Sequence, residues 1–149
     1  MNCVFETARQ FRVWLLLTVC ISTLPALAQE PPPLEGTSWQ LVQIQSMNDT
    51  VFTPPDPGQY TVRFRSENRL VVQSDCNRAG ATWQQNGKEL SFTGFTTSQN
   101  MCNPGTLHNR FVSALLGIRS FVSENGHLFL ATFADGAILE FEPLVFSPR

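Results

Sequence analysis

YTVRFRSENRLVVQSDCNRAGATWQQNGKELSFT, residues 60–93, decides the fold. Its opening, Tyr60 to Arg65, alternates cleanly: Tyr60, Val62 and Phe64 point one way, Thr61, Arg63 and Arg65 the other. Side chains of a strand alternate between faces, so this is a half-buried strand with Thr61, Arg63 and Arg65 toward water. Arg69 to Ser74 repeats the pattern after Ser66-Glu67-Asn68, and the two runs pair as a hairpin. Ala79 to Gln85 and Lys88 to Thr93 form a second hairpin across Asn86-Gly87. Both turn residues tolerate positive φ, the conformation a tight hairpin requires. Trp83, Leu90 and Phe92 are its core candidates.

Working outward, Ser38 to Gln45 is a strand in which Trp39 and Leu41 share a face before the phase slips to Val42 and Ile44, the sign of a bulge. Ser46 to Gln59 is a loop, broken by Pro54-Pro55 and Pro57-Gly58. On the other side, Thr106 to Arg119 has the one helical period, with Leu107, Phe111, Ala114, Leu115 and Ile118 on a stripe and Thr106 placed to cap it. Ser120 to Glu124, His127 to Phe133 and Ala137 to Glu142 are three further strands, turned at Asn125-Gly126 and Asp135-Gly136. The class is α+β: a meandering antiparallel sheet of about eight strands with one helix, which buries its stripe on the sheet or plugs its open end.

Residues 1–28 have the form of a cleavable secretory signal. Arg9 and Arg12 precede the apolar run Val13 to Ile21, and Ala26-Leu27-Ala28 offers small residues for cleavage before Gln29. The run is well short of the roughly 20 residues that span a bilayer, so a retained anchor is not expected. Lipidation at Cys20 is not expected either, because Val19 is too large for the position before a lipid-bearing cysteine. Gln29 to Pro33 is a proline-rich linker, and the domain occupies residues 34–145. Processing leaves 121 of 149 residues, one domain's worth, with eight Lys/Arg against eleven Asp/Glu. No block of like charge points to nucleic acid or an anionic membrane surface. No second long apolar run exists, so no span is expected in the mature chain. Cys3 and Cys20 leave with the signal. Cys76 and Cys102 remain, and in an exported domain they favour a disulfide over two buried free thiols. Closing that loop is worth roughly 3–4 kcal/mol.

Asp75-Cys76-Asn77-Arg78-Ala79-Gly80-Ala81-Thr82-Trp83 resembles the DCNRxxGxY-type signature of the META domain, the family that includes the HslJ-like heat-shock proteins. Gly36-Thr37-Ser38-Trp39 is similar to the family's opening strand, and Ser98-Gln99-Asn100-Met101-Cys102 to the TxxxC segment before its helix. Phe111 to Leu115 and Leu128 to Leu130 are similar to the helix and the strand after it. Ser98 stands where Thr is usual and Trp83 where Tyr is commoner, keeping a hydroxyl and an aromatic. The resemblance covers about Leu34 to Glu142. It implies a single domain of the bacterial envelope, close to a cracked antiparallel barrel with one helix. It also implies an association with envelope stress, heat shock, antibiotic tolerance or virulence, and brings no established catalysis.

The motif has two readings. In one, Asp75 and Asn77 shape a turn, Gly80 permits a bend or close approach, Arg78 braces a turn carbonyl or Asp75, and the whole positions Cys76. In the other, the same residues bind a ligand. The residue types favour the first. A thiol hydrolase would need Cys76 or Cys102 free and near His108 or His127. A metal would need the same four residues to converge, without any CxxC or paired-histidine spacing. His108 is expected at the solvent-exposed margin of the helix stripe, and His127 directly after the Asn125-Gly126 turn. The expectation is therefore no cofactor, no metal and no catalytic residue. It is a monomeric, non-enzymatic module, periplasmic or secreted, that binds an envelope protein, a lipid or a small apolar ligand in a cleft between sheet and helix. The aromatic load of Trp39, Tyr60, Phe64, Trp83, Phe92 and Phe95 motivates that cleft. The alternatives are a cysteine-dependent hydrolase and a secreted inhibitor acting through the Ser46–Gln59 loop.

Overall fold

The alternating segments pair in chain order. The computed structural model describes residues 32–144; residues 1–28, expected to be a signal, with Cys3 and Cys20, and residues 29–31 of the expected linker lie outside the described residues. Nine strands and one helix follow: β1 (Ser38–Ser46), β2 (Val51–Phe52), β3 (Tyr60–Phe64), β4 (Arg69–Ser74), β5 (Asn77–Asn86), β6 (Glu89–Thr97), α1 (His108–Leu116), β7 (Ile118–Glu124), β8 (His127–Thr132) and β9 (Ala137–Pro143). Every pairing is antiparallel. From β3 to β9 each strand pairs with the next, and β1 pairs with both β3 and β9, which closes eight strands into a barrel. The seam is β6 with β7, registered only at Glu89 and Ser120 and tied by the Phe121 N–H donating to Lys88 O at 3.0 Å.

β1 carries the expected bulge where the phase slips, just after Leu41. Leu41 faces Phe141 and Gln43 faces Glu140, so Val42 is the inserted residue. Leu41 and Ile44, three apart, both reach the core as a result.

The ninth strand, β2, lies in the segment expected to be only loop. Val51 and Phe52 pair with Gln45 and Ile44, and the Arg110 guanidinium sits 3.6 Å from the centre of the Phe52 ring. Pro54-Pro55 then end the strand by removing backbone donors. The Pro57–Gln59 turn packs on β1 and β3. Thr61, expected to face water, is buried, because the outer face of β3 is covered there. Much of the Ser46–Gln59 segment is thus bound to the barrel wall.

The helix is shorter than its stripe suggests. The helix boundary falls at Leu107, which has no side-chain cap bond and whose backbone N–H donates to Tyr60 Oη at 3.0 Å, while Thr106, the expected cap, accepts the His108 N–H on its Oγ1 at 3.5 Å. Gly117 ends the helix, and Ile118 and Arg119 belong to β7, where β-branched Ile118 pairs with Thr132. Phe111 and Leu115 plug one end of the barrel. The Phe111 ring meets Tyr60 edge-on at 5.6 Å and lies 6.2 Å from Phe141. The other end receives Leu34, 1% exposed, with Gly36 N–H donating to Phe64 O nearby.

Phe111→Ala removes the plug and leaves a cavity that the closed barrel cannot collapse around. We expect a loss of about 3–5 kcal/mol in urea unfolding; a change under 1 kcal/mol would show that the helix does not depend on this contact.

Candidate functional site

Asp75 and Cys76 form the two-residue loop between β4 and β5, since Ser74 and Asn77 are paired partners. Asp75 has φ 56, a left-handed conformation that Asp tolerates better than most residues. Its N–H donates to Gln59 O at 2.8 Å and its carbonyl accepts from Gln73 Nε2 at 2.5 Å. Cys76 is joined to Cys102, with Sγ–Sγ 2.06 Å, so the staple links this turn to the segment entering α1.

Asn77 is the centre of the motif. It is 1% exposed, and its amide is fully engaged. Oδ1 accepts from Ser98 Oγ and from Asn100 N–H, both at 2.8 Å. Nδ2 donates to Asn100 O at 3.1 Å and lies 3.1 Å from Cys102 Sγ. A buried amide is costly unless satisfied, and apart from Cys76 Sγ its partners all belong to the irregular segment between β6 and α1 that it holds. Ser98 Oγ also accepts the Arg78 N–H at 3.1 Å, so the hydroxyl at this position joins the two segments directly.

The other two motif residues behave differently. The Arg78 side chain is exposed and makes no hydrogen bond or ion pair among the described residues, so it does not brace Asp75 or the turn carbonyl. Gly80 has no positive φ, and an added Cβ would meet only ordinary contacts at 3.8 and 3.9 Å. It sits where the β5–β6 register shifts, so a bend, rather than a close approach, is what it accompanies.

Both histidines are engaged. His108 is half-buried rather than exposed, with Nδ1 2.8 Å from Ser74 Oγ and 3.2 Å from Ser74 O. Ser74 itself is fully buried. His127 begins β8, as its place directly after the Asn125-Gly126 turn expects, and its Nδ1 lies 2.8 Å from Glu140 Oε1, an ion-pair distance without hydrogen-bond geometry. Asp75, Cys76 and Cys102 place one carboxylate and two sulfurs within 4.8 Å of one another. With the sulfurs bonded to each other, neither is a thiolate nucleophile or a thiolate metal ligand. The pKa of Tyr60 is raised. Burial of its hydroxyl raises it, the nearby Asp75 charge adds to this, and hydrogen bonds from Leu107 and Thr106 oppose it.

The expected aromatic-lined cleft between sheet and helix is absent in that form. Tyr60, Phe64, Trp83 and Phe92 are core, and Trp39 and Phe95 pack against it. Surface depressions exist instead, among them a small polar one of about 360 Å³ beside Cys102 and His108 and two larger ones. A groove of about 620 Å³ runs beside α1 and includes Ile44, Arg110, Ala114 and Phe133. An open cleft of about 1220 Å³ follows the β5–β6 hairpin to Arg119, with Trp83 and Leu90 at its base and Phe133 on its margin. Phe133 therefore borders both, and it is 75% exposed. The sequence pattern places it at the end of a strand, whereas it lies in a 3-10 turn, Phe133–Asp135. The signal was parity: Leu128 and Leu130 face in, so position 133 falls on the outward set.

An antiparallel eight-stranded barrel with one end plugged by a helix, stapled at a D-C-N turn, defines the class. The META domain model matches residues 32–145, and the chain belongs to that family. No curated protein matches the chain. Among solved structures, an NMR structure of a protein from Burkholderia xenovorans is similar at 21% identity, TM-score 0.63, covering 84% of this chain and 97% of that one. A DUF4847 family protein from Bacteroides vulgatus is similar at 15% identity, TM-score 0.57, covering 76% and 96%. At these identities the likeness carries the fold alone.

Cys102→Ser should cost about 2–5 kcal/mol. Thermal unfolding with and without reductant checks this, and reductant should not affect the variant. Tyr60 is the sole tyrosine of the sequence, so tyrosinate absorbance reports it without assignment. Its raised pKa means the folded state holds the proton after the unfolded chain has lost it. The ionisation midpoint should lie above the usual value of about 10 when folded and return to it in denaturant, and stability should fall as pH rises past that value. An unshifted midpoint in the folded protein contradicts the burial argument.

Proposed function

We propose that this chain is an exported, non-enzymatic binding domain of the cell envelope, processed before Gln29 and acting in an envelope-stress response. The single observation that carries the binding role is Phe133, an aromatic side chain exposed on a fixed turn between two open depressions. An exposed phenyl ring adds no burial to the core, and aromatic side chains are enriched where proteins meet their partners. The turn is held by the Phe133 N–H donating to Gly117 O at 3.1 Å and the Ala137 N–H donating to Thr132 Oγ1 at 2.8 Å. Ala134 sits inside it at φ 53, a strained value for a residue with a Cβ.

Export is supported by the Cys76–Cys102 disulfide, which needs an oxidising compartment to persist, and by the signal-like first 28 residues. A non-enzymatic role is supported by the way the reactive groups are used. Both cysteines are joined, Ser74 is buried under His108, and His127 is paired across strands.

Purification of the chain from an envelope fraction tests the proposal. Intact mass spectrometry should show an N-terminus at Gln29 and a bound small molecule that Phe133→Ala loses. An unprocessed chain, or a ligand retained by the variant, would count against it.

A further inference from the structure

The chemistry around the larger cleft is specific enough to name a ligand class. Asn68, Gln84, Asn86 and Ser91 border it, and none of their side chains makes a hydrogen bond among the described residues. These are neutral groups; the three amides each offer a donor and an acceptor on one rigid plane. The backbone that carries them is fixed. Asn68 O accepts from the Trp83 N–H at 2.8 Å, Trp83 Nε1 donates to Arg65 O at 3.3 Å, and the Phe121 N–H ties Lys88 to β7. Arg119 stands on the far side with Nη1 donating to Ile118 O at 2.6 Å. Glu89 borders the same space.

Those facts weigh against two common ligand types. An acyl chain needs an enclosed apolar wall, whereas this cleft is open, Trp83 and Leu90 are buried, and its exposed apolar rings, Phe133, Pro32 and Pro33, are interspersed with polar side chains. A phosphate or other anion needs converging cations, whereas Glu89 offsets Arg119. What remains is a molecule with many hydroxyls, each both donor and acceptor, and an apolar face that covers an aromatic ring. The pyranose ring has this form: its axial C–H groups make a flat apolar face and its rim carries hydroxyls. The cleft exceeds the about 300–1,000 Å³ of a closed small-molecule site, which suits several linked rings lying along it in water.

We propose that the cleft between the β5–β6 hairpin and the Phe133 turn binds a neutral oligosaccharide, with Phe133 covering one sugar ring and Asn68, Gln84 and Asn86 hydrogen-bonding hydroxyls. The assignment rests on the binding role proposed above and specifies its ligand.

The experiment uses the disulfide-intact, ¹⁵N-labelled chain from an envelope fraction. It is titrated separately with triacetylchitotriose, cellotriose and maltotriose, and in a parallel arm with lysophosphatidylcholine below its micellar concentration. Binding of at least one trisaccharide should move the side-chain amide signals of Asn68, Gln84 and Asn86 and change Trp83 fluorescence. Phe133→Ala should weaken that affinity about tenfold, the effect of losing one aromatic contact. Gln84→Ala, an exposed change that leaves the core intact, should weaken it by a smaller factor. Three results overturn the assignment: no trisaccharide perturbs these amides, the perturbed signals lie elsewhere, or both variants bind as the parent does. If the lipid alone binds, and does so through Phe133, the sugar assignment falls while the binding role stands. If neither class binds, both fall.

Discussion

Closure of β1 onto β9 is the constraint on which everything else depends. Seven registered pairs, from Trp39–Pro143 to Ser46–Ala137, join the first and last long strands. Without them the sheet would present two open edges, which are prone to pair with other chains. Once the strands close, the interior has a fixed volume that must be filled. The Val42 bulge is part of the solution, because it lets Leu41 and Ile44 both face inward on a strand that also changes neighbour from β3 to β2. Phe111 and Leu115 fill one end, and Leu34 the other.

A barrel plugged by a helix needs that helix held in place, and the D-C-N turn does this. The loop from β6 to α1 has little regular structure of its own. It is fixed by the Asn77 amide, the Ser98 hydroxyl and the disulfide, all converging within a few residues. Leu107, hydrogen-bonded to Tyr60 Oη, then sets the first turn of α1. The residues that mark the family are thus chiefly the mounting of the plug. Arg78 is the exception. Its backbone takes part while its guanidinium stays in solvent, and nothing in the structure explains the choice of arginine there.

The least complete part of the closure is also where the surface is most open. β6 and β7 share a single registered pair, and the larger cleft follows that seam. Gln84, Asn86 and Ser91 have their backbones paired within the β5–β6 hairpin, but their side chains face the opening beside the seam, and the neighbouring Phe133 turn adds an exposed ring. Fold and proposed ligand site therefore have one origin. The same barrel that satisfies nearly every strand elsewhere leaves one gap where recognition is affordable.

The sequence by itself determined the strands, the single helix and the cysteine pair. Alternation from Tyr60 to Thr93, two Asn-Gly turns and the stripe through Phe111 and Leu115 are local patterns, and local patterns survive in a linear reading. It also marked the D-C-N motif and the META family. It did not determine the end of the helix, where pairing of Ile118 with Thr132 overrode helical spacing, or the two-residue strand β2, which exists only because β1 offers an edge. Its aromatic count suggested a lined cleft, but an aromatic in a strand is core or surface according to where the sheet closes, and four of the six went inside. Only the tertiary structure brought Asn68, Gln84, Asn86 and Phe133 around one opening, because their nearness follows from strand register and barrel closure, which no single stretch of chain encodes.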